Sequence, residues 1–336
     1  VWILYCLSLI LVYGDMELTF NHFIRYSTLI LASYILIKIY GIALFVRFEQ
    51  MLIFLAKVSL FFWLWSIINF SSLIKFASIF NIGSSGNNPD RIGAFYYIVV
   101  YTVERLISED YFIPRNYGFC LEPVIFACFL VLTLYFNIMR NGGIKLKQNR
   151  GFWILLITLF TTQSTTGILA FMIFVVYYIL SNRRIGIKKY FYLASIIAVF
   201  SIAIINFDFL LPKLVRGYES LSDFERISKM SSPNMRFSAG RFGGLIIGWK
   251  DILAHPILGI GANGMRSIAN KGGASLMNTN GFAGIMSVFG LFGVFIYFYL
   301  ATKSSFSISR VYNNRFPLGF LITFTISKAQ DSNMLQ

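Results

Sequence analysis

Long apolar runs recur along this chain and constrain its fold more than any other feature of the sequence. Five of them, each about 20 residues long, lie at residues 24–45, 51–70, 117–139, 190–210 and 282–300. At about 1.5 Å per residue, a helix of that length crosses the roughly 30 Å hydrocarbon layer of a bilayer. We therefore predict an all-α, polytopic integral membrane protein.

The composition agrees with that prediction. Apolar residues make up 57% of the chain and charged residues only 13%, and the mean hydropathy is +0.69. A soluble core does not absorb that much apolar surface, whereas lipid does. The formal charge of +15 would suggest nucleic acid as the partner of a soluble protein, but here Lys and Arg lie mostly between the apolar runs. We expect membrane lipid, and no nucleic acid, as a partner.

The basic residues also predict the orientation. They flank the apolar stretch at residues 152–180 on both sides: Arg140, Lys145, Lys147 and Arg150 before it, and Arg183, Arg184, Lys188 and Lys189 after it. Because basic connections stay in the cytoplasm, this stretch is predicted to cross twice as a tight hairpin that breaks at the polar residues 161–167. With partial spans at residues 1–13 and 317–326, we count about 8–9 transmembrane helices.

The ends of the sequence lead to a further expectation. The chain begins inside an apolar run without an initiator Met and stops before its last span is complete. We expect it to be part of a longer protein.

The segments at residues 71–116 and 212–280 are then assigned to the outer face. The second is the only sizeable polar region of the sequence. We predict a single membrane domain over residues 1–336, with 212–280 as one large extracytoplasmic loop inserted between transmembrane helices.

Two stretches of the outer loop have apolar residues at helical spacing. Residues 218–229 and about 238–254 are predicted to form amphipathic helices near the membrane surface. In the second helix, Leu245, Trp249 and Leu253 form one stripe, with Ser238 as its predicted N-cap, and Pro256 ends it near residue 255.

Arginine dominates the charges of this loop. A guanidinium group binds phosphate through paired hydrogen bonds and stays charged at any relevant pH, so the loop suits a phosphate-bearing ligand. For any single Arg, contact with anionic lipid head groups is the alternative. The residues that we assign to substrate binding are Arg115, Arg216, Arg236 and Arg266, and Arg241 is assigned to catalysis.

An acidic residue, Glu122, falls inside the apolar run 117–139, about one and a half turns from its outer end. A carboxylate at that depth costs a few kcal/mol unless it faces a cavity or a cation, so Glu122 is a candidate catalytic base. The alternative is an ion pair with Arg115 that only fixes the helix end. His255 is the next candidate base.

Nucleotide and metal sites are not expected. Gly259-Ile-Gly261-Ala-Asn-Gly264 matches G-x-G-x-x-G, but it follows a predicted helix rather than a strand, and no βαβ unit is predicted around it. We interpret it as a flexible turn whose backbone approaches a ligand. The sequence also lacks H-E-x-x-H, a Walker A motif and a Cys/His cluster, so no cofactor is predicted.

Two groups of residues resemble the O-antigen polymerase and ligase superfamily of bacterial surface polysaccharide assembly. The first group is Arg115-x-x-Gly118-x-x-x-Glu122-Pro123. The second is Gly240-Arg241 followed by Trp249, His255-Pro256, Gly259 and Gly261, with Gly290-Leu-Phe-Gly293 in a later apolar span. The resemblance covers roughly residues 110 to 300.

The resemblance implies a glycosyltransferase of the bacterial inner membrane, with its active site on the outer face. It would polymerise undecaprenyl-pyrophosphate-linked oligosaccharide repeat units, with a chain-length regulator as a further partner. Such a donor is already activated. Arg residues would hold its pyrophosphate, and Glu122 or His255 would take the acceptor hydroxyl proton.

Two other functions stay open. The family often has Ser-Arg at the outer hairpin tip, where this chain has Gln163-Ser164-Thr165, and its ligases carry a His-Asn pair where this chain has Asn278-Thr279-Asn280. The second difference favours a polymerase over an O-antigen ligase. A polysaccharide flippase would also be polytopic and basic, but no internal repeat is visible in the sequence.

Overall fold

The computed structural model describes residues 2–79, 95–98, 101–104, 113–144, 149–181, 194, 236–238, 240–261, 263, 266–267, 275–277 and 281–312. This part of the chain is mostly helical. In chain order its elements are α1 (Trp2–Tyr13), α2 (Met16–Tyr40), α3 (Ala43–Ile68), α4 (Phe70–Ile79), β1 (Phe95–Ile98), β2 (Tyr101–Glu104), α5 (Pro123–Arg140), α6 (Arg150–Thr161), α7 (Thr165–Ser181), β3 (Arg236–Ser238), α8 (Gly240–Ala254), β4 (Ser275–Met277) and α9 (Gly281–Val311).

Four of the described helices are long and apolar enough to cross a membrane: α2, α3, α5 and residues Ala283–Val311 of α9. They overlap four of the five long apolar runs, which are therefore confirmed as mostly helical. Two bounds differ: the run 24–45 is interrupted at Gly41, where α2 ends, and the run 117–139 is helical only from Pro123. The fifth run, 190–210, lies outside the described residues except for Ala194. The count of about 8–9 spans and the outer position of residues 212–280 stay predictions.

The predicted break in the apolar stretch 152–180 is confirmed. Helix α6 ends at Thr161 and α7 begins at Thr165, with Gln163 between them at a positive φ of 50°. The hydroxyl of Ser164 accepts a hydrogen bond from the backbone N–H of Gly167 at 3.2 Å and so caps α7. At about 1.5 Å per residue, α6 is only about 18 Å long, so its crossing of the membrane stays a prediction.

The chain divides into two compact units. Unit 1 consists of Val1–Leu44, Leu211–Ser304 and Lys328–Gln336, and unit 2 of Phe45–Leu210 and Ser305–Ser327. The single membrane domain predicted for residues 1–336 stays a prediction.

Unit 2 is built around α5, which packs against α6 and α7. Its core consists of large apolar side chains that are almost completely buried, among them Phe126, Leu130, Tyr135, Leu155 and Phe174. Of the 18 residues of α5, 13 are buried, which is typical of a central helix surrounded by others rather than of a lipid-facing one. The short strands β1 and β2 of this unit pair antiparallel.

Unit 1 contains α1, α2, α8 and most of α9. Strands β3 and β4 pair in parallel, with α8 between them in the chain. The G-x-G-x-x-G sequence at residues 259–264 therefore lies within a short β3–α8–β4 crossover, and the expectation that no βαβ unit surrounds it was wrong. The motif follows α8 instead of preceding it, so the dinucleotide-binding arrangement of strand, Gly-rich turn and helix N-terminus is not formed.

Helix α8 differs from its prediction at one end. Ser238 pairs in β3 and the helix begins at Gly240, because the backbone of Ser238 is bonded to β4 rather than placed to cap a helix. Its end before Pro256 is confirmed. The predicted stripe of Leu245, Trp249 and Leu253 is exposed, while Ile247 and Asp251 lie on the buried face. The helix predicted at residues 218–229 lies outside the described residues.

Candidate functional site

Helix α9 is interrupted at Gly290, whose φ of 60° and ψ of −160° are not helical. A break of this kind leaves backbone groups without intrahelical partners, which is costly in an apolar setting. Here the turn after α8 supplies the partners. Ser287 O and Val288 O accept from the N–H groups of Ile260 and Gly261 at 2.9 and 3.0 Å, and the N–H groups of Leu291 and Phe292 donate to Pro256 O and Ile257 O at 2.9 and 3.2 Å.

Two glycines make this docking possible. Gly259 has a φ of 70°, and a Cβ on it would lie 2.5 Å from the Gly290 nitrogen; a Cβ on Gly290 would lie 2.5 Å from the Gly259 nitrogen. The Gly-rich turn was interpreted as one that approaches a ligand. In the structure its glycines approach the backbone of α9. Two backbones can come this close only where neither residue has a side chain.

Helix α1 holds the same junction from another side. The hydroxyl of Tyr5 lies 2.9 Å from Leu258 O and 3.3 Å from Val288 O, so it contacts both the turn and the interrupted helix. Its ring stacks on Phe292 with centroids 5.6 Å apart. We name the combination of α1, the turn at residues 256–261 and the break in α9 the turn–break junction.

His255 lies at the edge of this junction, directly after α8. Its Nδ1 is 3.4 Å from the hydroxyl of Tyr13, the last residue of α1. The two rings meet edge to face with centroids 5.9 Å apart. The same hydroxyl donates to Gly259 O at 2.7 Å. Tyr13 therefore fixes the imidazole of His255 and the Gly-rich turn together.

Arg266 supports Tyr13 from behind. Its guanidinium lies over the Tyr13 ring, 4.0 Å from the centroid, and donates to Tyr13 O at 3.2 Å and to Ile260 O at 3.3 Å. It also forms an ion pair with Asp15, which accepts a further hydrogen bond from Asn263 at 3.3 Å. The sequence assigned Arg266 to substrate binding. In the structure its guanidinium pairs with Asp15 and contacts the α1–α2 connection, and its assignment to substrate binding stays a prediction.

Asp251 anchors α8 to α9 one helical turn before His255. Its carboxylate is fully buried and accepts hydrogen bonds from Ser267 Oγ, at 2.7 Å, and from Ser287 Oγ. Beside it, Gly248 packs so closely on Ala283 that a Cβ would lie 2.8 Å from the Ala283 carbonyl oxygen. A buried carboxylate is tolerated when it accepts such hydrogen bonds, and here they fix the position from which His255 projects.

Arg115 and its neighbours form a second polar site, in unit 2. Arg115 Nε donates to Thr162 O at 3.3 Å, which places the residue at the tip of the α6–α7 hairpin. Asn116 is completely buried and donates from its backbone to Thr161 O at 3.0 Å and from its side chain to Thr161 Oγ1 at 2.9 Å. The hairpin tip is also tied to the same loop by Gln163, whose side chain donates to Ile113 O at 3.1 Å.

The prediction that Glu122 lies one and a half turns inside a helix is wrong. Helix α5 begins at Pro123, and Glu122 is its N-cap residue, half-buried and extended with φ −128° and ψ 133°. The reason is local, because Pro123 lacks an N–H, suits the first helical position and disfavours helical geometry in the residue before it. Glu122 therefore lies at the helix end rather than one and a half turns inside it. No ion pair joins it to Arg115 among the described residues.

A buried ion pair lies where α5 ends. Glu49 of α3 is 1% exposed and pairs with Arg140 at 2.8 Å, and Asn137 donates to the same carboxylate oxygen at 2.6 Å. Burial and the negative charge of Glu49 both raise the pKa of Tyr312, which Arg140 partly offsets. The sequence reading did not single out Glu49, although a carboxylate seven residues into an apolar helix is the signal that marks such a group.

The remaining assigned residues are only partly placed. Arg216 lies outside the described residues, and Arg236 lies in β3. Arg241 is in the first turn of α8, as predicted, with its backbone at the positive end of the helix dipole. Because His255 follows the other end, 14 residues later, the two residues are separated by about 21 Å along the axis. The assignment of both residues to catalysis stays a prediction.

Tyr13, Asp15 and Asp251 were also missed. Asp15 and Tyr13 are 251 and 242 residues away from Arg266 and His255 in the sequence, so no local pattern links them. Asp251 carried a weak signal, since it lies on the same helical face as Gly244 and Gly248 rather than on the polar side of α8.

The comparisons give no match: no protein-family model matches the chain, and neither does any curated protein. The resemblance to the O-antigen polymerase and ligase superfamily therefore depends on the motif residues themselves. The structure brings two parts of that pattern together, since Gly259 and Gly261 contact the segment that contains Gly290.

Proposed function

We propose that the protein is a membrane glycosyltransferase that polymerises undecaprenyl-pyrophosphate-linked oligosaccharide repeat units into a surface polysaccharide. The observation that carries the proposal is the position of His255, which is fixed by Tyr13 at the end of α8, beside the turn–break junction. The four membrane-length helices support the setting, because both substrates would be attached to a polyprenyl carrier within the bilayer.

In the proposed reaction, a hydroxyl of the acceptor sugar attacks the anomeric carbon of the donor. The hydroxyl proton passes to His255, a new C–O bond forms, and the bond from the anomeric carbon to the pyrophosphate oxygen breaks. The undecaprenyl pyrophosphate leaves with the electron pair of that bond. An imidazole suits this role because one ring nitrogen can accept a proton while the other is held by a hydrogen-bonding partner.

The distance between Arg241 and His255 limits how α8 takes part. The backbones of the two residues are about 21 Å apart along α8, so we propose that they serve different groups of the substrates. The acceptor repeat unit, however, has its own carrier pyrophosphate at one end and its reacting hydroxyl at the other. Arg241 and the N-terminal N–H groups of α8 are therefore proposed to hold the acceptor's pyrophosphate while its hydroxyl reaches His255.

An interrupted apolar helix is also a feature of transporters, whose free backbone groups at the break bind ions or substrate. In α9 two backbone carbonyls before the break and two backbone N–H groups after it are paired with the turn at residues 256–261. This pairing favours a structural role for the break and therefore a polymerase over a flippase.

The test is the surface glycan of a strain that lacks the gene and is complemented with variants. We expect single repeat units in the deletion strain, normal polymer with the wild-type gene, and single repeat units with His255→Gln at a normal protein level in the membrane. His22→Gln changes the only other histidine and is the matched control. Long chains that stay on carrier lipid in the deletion strain would show a ligase instead, and loss of all surface repeat units would show a flippase.

A further inference from the structure

We propose that Tyr13 sets the tautomer of His255, with its proton on Nδ1 and the lone pair on Nε2, and that Arg266 and Asp15 hold Tyr13 in place for this purpose. The inference deepens the proposed function, on which its catalytic consequence rests. It makes Tyr13, Arg266 and Asp15 positioning residues for the base.

The Tyr13 hydroxyl has a single proton to donate. Gly259 O lies 2.7 Å away and accepts it, which is the ordinary length of such a bond. His255 Nδ1 lies at 3.4 Å from the same oxygen. Because the proton is already donated to Gly259 O, the contact with Nδ1 is favourable only when the nitrogen carries a proton and donates to the hydroxyl oxygen.

A neutral imidazole carries one proton on its two nitrogens. When Nδ1 carries it, Nε2 has the lone pair and is the nitrogen that accepts a proton from a substrate. The opposite tautomer would place two lone pairs against each other at the Tyr13 contact. The geometry therefore favours the tautomer that a general base needs on the side of the ring away from Tyr13.

The α1–α2 connection determines where the Tyr13 hydroxyl lies. Gly14, with a φ of 71°, turns the chain between Tyr13 and Asp15, and its N–H closes α1 on Ile10 O at 2.9 Å. The Arg266 guanidinium lies over the Tyr13 ring and pairs with Asp15 across this turn. A cation held between the ring and the carboxylate opposes rotation of the ring away from His255.

The tautomer is measured by nitrogen NMR of the full chain in lipid nanodiscs, with ¹⁵N-labelled histidine. The sequence has only two histidines, so a His22→Gln variant assigns the signals. We expect His255 at a pH where it is neutral to show a protonated Nδ1 and an unprotonated Nε2. Tyr13→Phe keeps the ring beneath Arg266 but removes the hydroxyl, and it should shift the population toward the Nε2–H form.

The same variants are compared for polymer formation. Tyr13→Phe should lower it by up to about 100-fold, at the lower end of what a general base contributes. Asp15→Asn, which weakens the ion pair with Arg266, should have a smaller effect in the same direction on both tautomer and polymer. Tyr34→Phe removes another hydroxyl from a ring that also has a cation, Lys38, near its face, and should change neither.

Two results would overturn the proposal: a protonated Nε2 on His255 of the wild-type protein, or an unchanged tautomer in Tyr13→Phe. The first is measured on the wild-type Tyr13–His255 contact and so does not depend on whether the Tyr13 and Asp15 variants fold. If the tautomer behaves as expected but His255→Gln makes normal polymer, Tyr13 still sets the tautomer and the proposed function loses its base.

Discussion

Gly259 and Gly290 approach each other so closely that a Cβ on either would lie 2.5 Å from the backbone nitrogen of the other. Both have positive φ, at 70° and 60°. The contact joins the turn after α8 to the point where α9 is interrupted, and it carries four backbone hydrogen bonds. The junction therefore depends on two residues that have no side chain at all.

Alanine at either position should destabilise the protein strongly. Positive φ costs a residue with a side chain about 1–3 kcal/mol, and forcing a methyl group against backbone atoms costs about 1–3 kcal/mol more. Gly14→Ala is the matched control, because Gly14 has a φ of 71° but nothing within 4 Å of a Cβ, and it should lose only the first amount. Thermal unfolding of the detergent-solubilised protein measures both. Equal losses in Gly259→Ala and Gly14→Ala would show that the close approach is unimportant.

The Glu49–Arg140 pair should respond unequally to removal of its two partners. Arg140→Ala leaves a carboxylate that is 1% exposed without its cation, which typically costs about 3–5 kcal/mol. Glu49→Gln removes the buried charge but keeps an acceptor for Asn137, and should cost less. Arg310→Ala, at an exposed position, should change the free energy of unfolding by no more than about 0.5 kcal/mol. A greater loss in Glu49→Gln than in Arg140→Ala would contradict this account.

Arg241 should be sensitive to its geometry as well as its charge. Arg241→Lys keeps a positive charge at the start of α8 but loses the paired hydrogen bonds of the guanidinium, so polymer should fall sharply while membrane insertion is unchanged. Arg310→Lys is the control for the same change in another helix. Surface glycan length, compared at equal protein level, is the measurement. Near-normal polymer in Arg241→Ala would remove this residue from the mechanism.

Because Glu122 lies at the start of α5, it could stabilise the helix end as well as act as a base. As the residue before Pro123, a carboxylate is favourable near the N-terminus of α5 by about 0.3–1 kcal/mol. If it is a base, Glu122→Gln should insert normally but lose polymer, because an amide cannot take a proton. If it only stabilises the start of α5, Glu122→Gln should keep polymer with a slightly lower unfolding temperature. Arg115→Ala is tested in the same assay. Full activity of both variants would show that the segment from Arg115 to Glu122 has a structural role only.

The predicted orientation is tested by introduced cysteines and a membrane-impermeant thiol reagent. In intact cells only cysteines within residues 212–280 should react, whereas those within 141–150 and 181–189 should react after the membrane is opened. The background from Cys120 should be low, because its side chain is buried and burial raises the pKa of its thiol to about 12. Reaction of the basic segments in intact cells would invert the topology.

Local signals in the sequence predicted much of the secondary structure. The break between α6 and α7 follows from the polar residues 161–167, and the end of α8 follows from Pro256, because a proline ring prevents the helix from continuing. The start of α5 also has a local proline signal, but the predicted bound was wrong. Pro123 marks it, but apolar character alone extended the predicted span back to residue 117.

The sequence by itself determined that the chain forms long apolar helices and where several of them end, because hydrophobicity and proline geometry act over a few residues. Tertiary structure alone decided which polar groups meet. Tyr13 reaches His255 across 242 residues only because the turn after α8 pairs with the interrupted α9 and α1 packs on both. The sequence also did not show the break in α9, because a glycine such as Gly290 is compatible with a continuous helix. The break becomes favourable only when the turn at residues 256–261 supplies hydrogen-bond partners for the α9 backbone groups that it frees.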